Sequence, residues 1–116
     1  MTHMSDILRE VRRLASNRDP YGQQKASVYA VELLNDSMSP CIERSHTLYV
    51  DTSALVRARA DVVVEFTDGR ETVRRVIAQD EDSVTLHQFK PAVIERVARS
   101  AIRAMHPVVA VEFNRR

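Results

Sequence analysis

A mostly β domain preceded by one amphipathic helix is the fold class this chain predicts, and three observations carry it. From residue 28 onward the sequence divides into short runs rich in valine, isoleucine and threonine, separated by turn-forming residues. Asp68-Gly69 stands between two such runs, and glycine there supplies the positive φ that a tight hairpin needs. Val62-Val63-Val64 is an unbroken apolar stretch, the pattern of a strand buried on both faces.

Taken in order, the runs predict strands near 28–34, 47–51, 61–67, 70–79, 83–88 and 102–113. Asp80-Glu81-Asp82-Ser83 marks a second tight connection. Residues 92–100 fit a helical turn or a loop. Along 73–78, strand alternation sets Val73, Arg75 and Ile77 on one face and Arg74, Val76 and Ala78 on the other. Each arginine thus shares a face with apolar residues and calls for a carboxylate or carbonyl partner. Asp36, Glu71 and Glu65 are the candidates.

Ahead of the strands, Met4, Ile7, Leu8, Val11, Leu14 and Ala15 recur at helical spacing and predict a helix over 5–16. Ser5 is placed to cap it, with Asp6 in its first turn. Residues 17–27, with Asp19-Pro20-Tyr21-Gly22, read as a linker. The expected division is therefore helix and linker over 1–27 and the β domain over 28–116. A helix this short is marginal on its own. It is expected to dock on the body, to contact a second copy, or to act as a basic arm on nucleic acid.

Composition narrows the classes of function. A chain of 116 residues holds one domain, and 44% hydrophobic with 28% charged residues describes a globular one. The net charge of +1 comes from interspersed acids and bases, so this chain is not expected to bind DNA by itself. One cysteine, Cys41, excludes an internal disulfide and suits a reducing cytoplasm; it is expected as a small buried apolar residue. No long apolar run marks a signal peptide or a membrane span, so a cytoplasmic location is expected. Two glycines cannot build a phosphate-binding loop, and His46, His87 and His106 lack metal-ligand spacing. No cofactor or metal is implied.

Two motifs bear on chemistry: Asn35-Asp36-Ser37-Met38-Ser39-Pro40, and Glu71-Thr72-Val73-Arg74-Arg75-Val76 about thirty-five residues later. Read alone, Asn-Asp-Ser before a proline is ordinary turn chemistry. Together the two segments resemble the active-site motifs of the LexA and phage-repressor C-terminal domains. These are a Ser–Lys peptidase family with a signal-peptidase-like β fold, in which the motifs read roughly Gly-Asp-Ser-Met-x-Pro and Val-Lys-Arg-Leu. Further segments extend the likeness in the same order. Tyr29–Leu34 looks like the strand entering the nucleophile, and Thr47–Asp51 is similar to the strand after it. Asp61–Val64, Gln88-Phe89-Lys90-Pro91 and Ala104–Val111 resemble the later strands. The likeness covers about residues 28–113.

The resemblance puts Ser37 at the nucleophile position and Arg74 where the lysine base belongs. A serine hydroxyl needs a neighbouring base to take its proton. Lysine can lose its own proton when buried, whereas a guanidinium stays charged, with a pKa above about 12. Other departures accompany this one. Asn35 replaces the family's glycine, and the only upstream glycine, Gly22, follows Tyr21 rather than alanine or cysteine. The arginine bias of the chain, fifteen against two lysines, makes such an exchange easy, but an enzyme would not tolerate it at its base.

What the resemblance implies is a regulatory, self-associating C-terminal domain of a phage-type transcriptional repressor, without self-cleavage. Its partners would be a second copy and, through a helix-turn-helix domain that one helix cannot supply, DNA; no membrane is involved. The alternative is an active serine peptidase of the LexA type, which needs Lys90, Lys25 or His46 to reach Ser37. A third reading has the cleft beside Arg74 bind a peptide or an anion.

Overall fold

The computed structural model describes residues 10–14 and 26–113. Eight antiparallel strands form one sheet: β1 (Val11–Arg13), β2 (Val28–Leu33), β3 (Thr47–Asp51), β4 (Asp61–Phe66), β5 (Glu71–Gln79), β6 (Ser83–Gln88), β7 (Val93–Ala98) and β8 (Ile102–Glu112). A single 3₁₀ turn, Arg99–Ala101, joins β7 to β8. Strands are ordered β1-β2-β3-β8-β4-β5-β6-β7. The long last strand therefore lies between β3 and β4 and joins the two halves.

The sheet curls enough to bring its first strand back to the fifth. Glu10, the residue entering β1, donates its N–H to Glu71 O of β5 at 2.8 Å. Inside this curl lies one core, built on Val11, Val31, Leu33, Met38, Ile42, Leu48, Val50, Val63 and Val73. A second core lies on the other side of β4 and β5, with Val62, Val64, Phe66, Val76, Val84, Leu86 and Val97. Val62-Val63-Val64 thus feeds both cores, as its unbroken apolar run predicts. All three residues are at most 1% exposed.

The six strands expected from the sequence are present within a residue or so of their bounds, and both tight connections form. At Asp68-Gly69, Gly69 takes φ +95°, and Asp68 Oδ1 accepts the Arg70 N–H at 2.9 Å. At the second, Asp80 Oδ1 accepts the N–H groups of Asp82 and Ser83, each at 2.8 Å. Two expectations need correction. The 92–100 segment contains β7, paired to β6 from Ser83↔Ala98 to Gln88↔Val93. Its first four residues are exposed, so no inside–outside alternation marks it as a strand.

The helix expected over 5–16 lies largely outside the described residues, but within them Val11–Arg13 is a strand. Val11 faces Leu33 and Arg13 faces Val31 on β2. The free edge of β2 satisfies this backbone, and Val11 becomes fully buried in the first core. Apolar spacing alone did not distinguish that outcome from a helix.

A Cβ added at Gly69 would meet nothing within 4 Å, so substitution there tests the backbone alone. Gly69→Ala is expected to cost about 1 kcal/mol, because an L-residue is strained at that φ. Urea unfolding should show a lower midpoint with an unchanged m-value.

Candidate functional site

Ser37 lies in the turn that leaves β2, and that turn is fastened from several sides. Asn35 Oδ1 accepts the Ser37 N–H at 3.1 Å. Ser37 O accepts the N–H groups of Phe89 and Lys90, both at 2.9 Å, which anchors the turn to the end of β6. Met38 and Ile42 point into the first core and are at most 2% exposed. Ser37 itself is 6% exposed. Cys41, expected to be buried, is exposed. The turn sends Ile42 inward at its neighbour's expense, and the Cys41 thiol lies against the Arg75 guanidinium.

Arg74, thirty-seven positions later in sequence, comes up against this turn from β5. Its Nη1 donates to Val73 O at 2.7 Å and, at 3.4 Å, to Ser37 Oγ. Its Nη2 donates to Glu10 Oε2 at 3.0 Å. Glu10 Oε1 accepts from Asn35 Nδ2 at 2.7 Å. The structure thus brings together the two residues singled out by sequence and adds Glu10 and Asn35. Sequence reasoning missed Glu10, which falls within the helix expected over 5–16; only the pairing of β1 carries it to Arg74.

The partners proposed for the arginines are also corrected. Arg74 is neutralised by Glu10, and Arg75 by Asp61, through Nε–Oδ1 at 2.8 Å and Nη2–Oδ2 at 3.1 Å. Asp36 instead meets Lys90 Nζ at 3.1 Å, and Glu65 meets Arg103 at 3.6 Å. Glu71 contributes its carbonyl to Glu10. Asp61 faces Arg75 across the β4–β5 ladder, so a direct cross-strand neighbour supplies the carboxylate.

Chemically, the arrangement holds Ser37 Oγ as an acceptor. A guanidinium only donates, so Arg74 leaves the serine proton where it is. The Ser37 N–H is already committed to Asn35 and is not free to stabilise a developing oxyanion. Other bases are engaged elsewhere. Lys90 bonds Asp36, and His46 Nδ1 accepts the Glu43 N–H at 3.1 Å while its ring packs on Phe113. Lys25 lies outside the described residues. Beside Arg74 a small cavity, about 30 Å³, is bordered by Thr72, Gln88 and Glu95. The buried Thr72 Oγ1 has no hydrogen-bond partner among the described residues. No group of three His, Cys, Asp or Glu side chains converges as a metal site among the described residues.

A curled antiparallel sheet with a serine-bearing turn set against the fifth strand is the context in which family comparison becomes informative. The family model for Peptidase S24-like proteins matches residues 4–106. The chain belongs to this family. The matched span includes both motifs and every strand up to the first part of β8. Neither the curated proteins nor the solved structures contain a significant match. Among the described residues of this S24-like chain, no helix is long and apolar enough to cross a membrane.

Two outcomes test this geometry. The Arg74 and Glu10 side chains are only 15% and 24% exposed, so their pair is poorly screened. Glu10→Ala should cost about 1–3 kcal/mol by leaving a semi-buried guanidinium without its carboxylate. Arg103→Ala, removing a solvent-facing pair, should cost less than about 1 kcal/mol in the same chemical denaturation. The second concerns Asp36, whose carboxyl is held below its ordinary value of 3.8 by the hydrogen bond and then the charge of Lys90. A depressed folded-state pKa means the pair's contribution is present at neutral pH and is lost as pH falls through that pKa. NMR titration of Asp36 should show a midpoint below 3.8 that rises in Lys90→Met.

Proposed function

We propose that this domain is a non-cleaving regulatory and assembly module of a helix-turn-helix transcriptional repressor, using the Peptidase S24-like fold as a scaffold. The observation that carries the reading is the setting of Arg74, the residue that the resemblance aligns with the family's base. Arg74 donates toward Ser37 Oγ while its charge is balanced by Glu10. In this reading Ser37 and Arg74 are a structural tie between the β2 turn and β5. Self-association of the domain pairs DNA-binding heads carried outside this chain, and the second head then binds at high effective concentration. A cytoplasmic setting goes with that role. With no self-cleavage to release it, such a repressor is switched by a binding partner.

The test uses the purified full chain, incubated from neutral to alkaline pH and followed by intact mass and by labelling with a serine-directed fluorophosphonate. The expected result is an unchanged mass and no adduct on Ser37. Size-exclusion chromatography with light scattering should find a dimer or larger species that persists in Ser37→Ala. Cleavage or labelling abolished by Ser37→Ala would establish the peptidase reading instead. A monomer at all concentrations would remove the assembly role.

A further inference from the structure

β5 presents consecutive arginines to opposite faces, and the face that carries Arg75 holds a pocket that the proposed role leaves unused. This concavity, about 460 Å³, is bordered by Arg59, Arg75, Ile77, His87 and Phe89. The volume lies in the range of ligand-binding clefts. Its lining follows from register. Arg75 and His87 are direct cross-strand partners, and Ile77 and Phe89 follow two positions further along their chains. Arg59 comes from the connection between β3 and β4, and its placement is rigid. Its N–H donates to Val76 O at 2.7 Å, and Ala60 O accepts the Val76 N–H at 2.8 Å. This arginine is held at φ +70°, a conformation that costs an L-residue energy and recurs at binding sites.

The charges are unequal. Arg75 is clamped by Asp61. Arg59 has no carboxylate partner among the described residues, and its side chain is exposed. Two guanidinium groups and an imidazole thus surround one carboxylate, beside an Ile77 that is 40% exposed. A ligand matching this surface brings an anionic group to Arg59 and an apolar group to Ile77. The Phe89 ring already meets His87 edge-to-face at 4.5 Å and carries the Arg75 guanidinium at 4.8 Å. Little of its π-face is left for a nucleobase, and a chain of net charge +1 offers no wider basic surface for a phosphate backbone. Carboxylates fit better, since guanidinium groups pair with them through directed hydrogen bonds.

We propose that the pocket formed by Arg59, Arg75, Ile77, His87 and Phe89 is a protein-docking site that takes an acidic peptide segment with an apolar side chain next to its carboxylate. Arg59 pairs with the carboxylate, Ile77 and the rim of Phe89 receive the apolar group, and Arg75, fixed by Asp61, sets the shape of the floor. The site uses neither the Ser37 hydroxyl nor Arg74, although the Phe89 N–H donates to Ser37 O.

The experiment is an NMR titration of the ¹⁵N-labelled full chain with the acetylated, amidated tripeptide Glu-Leu-Glu. Resonances of Arg59, Ile77, His87 and Phe89 should shift together and saturate with a roughly millimolar Kd. Arg59→Gly, which accepts the positive φ without strain, should keep the spectrum of a folded protein and weaken binding about tenfold. Glu-Ser-Glu should bind more weakly than Glu-Leu-Glu. The proposal is overturned if Glu-Leu-Glu leaves those resonances unmoved. Equal shifts with Lys-Leu-Lys or adenosine monophosphate, or equal affinity in Arg59→Gly, would overturn it as well.

Discussion

The charge on Arg74 is the constraint around which the site is organised. A guanidinium cannot shed its proton to enter a protein interior, so a carboxylate has to accompany it. Glu10 fills that role and does more. Its N–H reaches Glu71 of β5, its carbonyl accepts the Leu34 N–H at the exit of β2, and its side chain bridges Asn35 and Arg74. One residue therefore ties β1, β5 and the Ser37 turn together. Beside Ser37 this chain places a permanent cation and its counter-ion.

That tie is compatible with a folded core because β5 serves two faces. Val73 enters the first core and Val76 the second, while Arg74 and Arg75 leave on opposite sides and find separate carboxylates at the margins. β4 does the same with apolar residues, sending Val63 one way and Val62 and Val64 the other. The period of two that separates the arginines also separates their surroundings. One lies against a nearly buried serine, the other in an open basic pocket. Neighbouring residues of the same type thereby acquire unrelated roles.

The strands that could be read from the sequence are those whose signals are local. β4 and β5 announce themselves through apolar runs around Asp68-Gly69, and β5 and β6 through the Asp80 turn. The opposed faces of Arg74 and Arg75 follow from alternation alone. β7 could not be read this way, because Val93, Ile94, Glu95 and Arg96 are all exposed and carry no inside–outside pattern. β1 was illegible for a different reason. The spacing of Val11 suits a helix or a strand, and the choice fell to the free edge of β2, far away in the chain.

For the site, the sequence by itself determined which groups are available: a serine in a turn, and an arginine where the resemblance expects a lysine. That is enough to say that Arg74 does not take a proton from Ser37, since ionisation is a property of the side chain itself. Partner choice was another matter. The sequence offered Asp36, Glu71 and Glu65 as candidates, whereas Glu10 and Asp61 hold the arginines. Only the tertiary structure decided this, because ion pairing depends on distance in space, and strand order and register bring residues as far apart as 10 and 74 to within 3.0 Å.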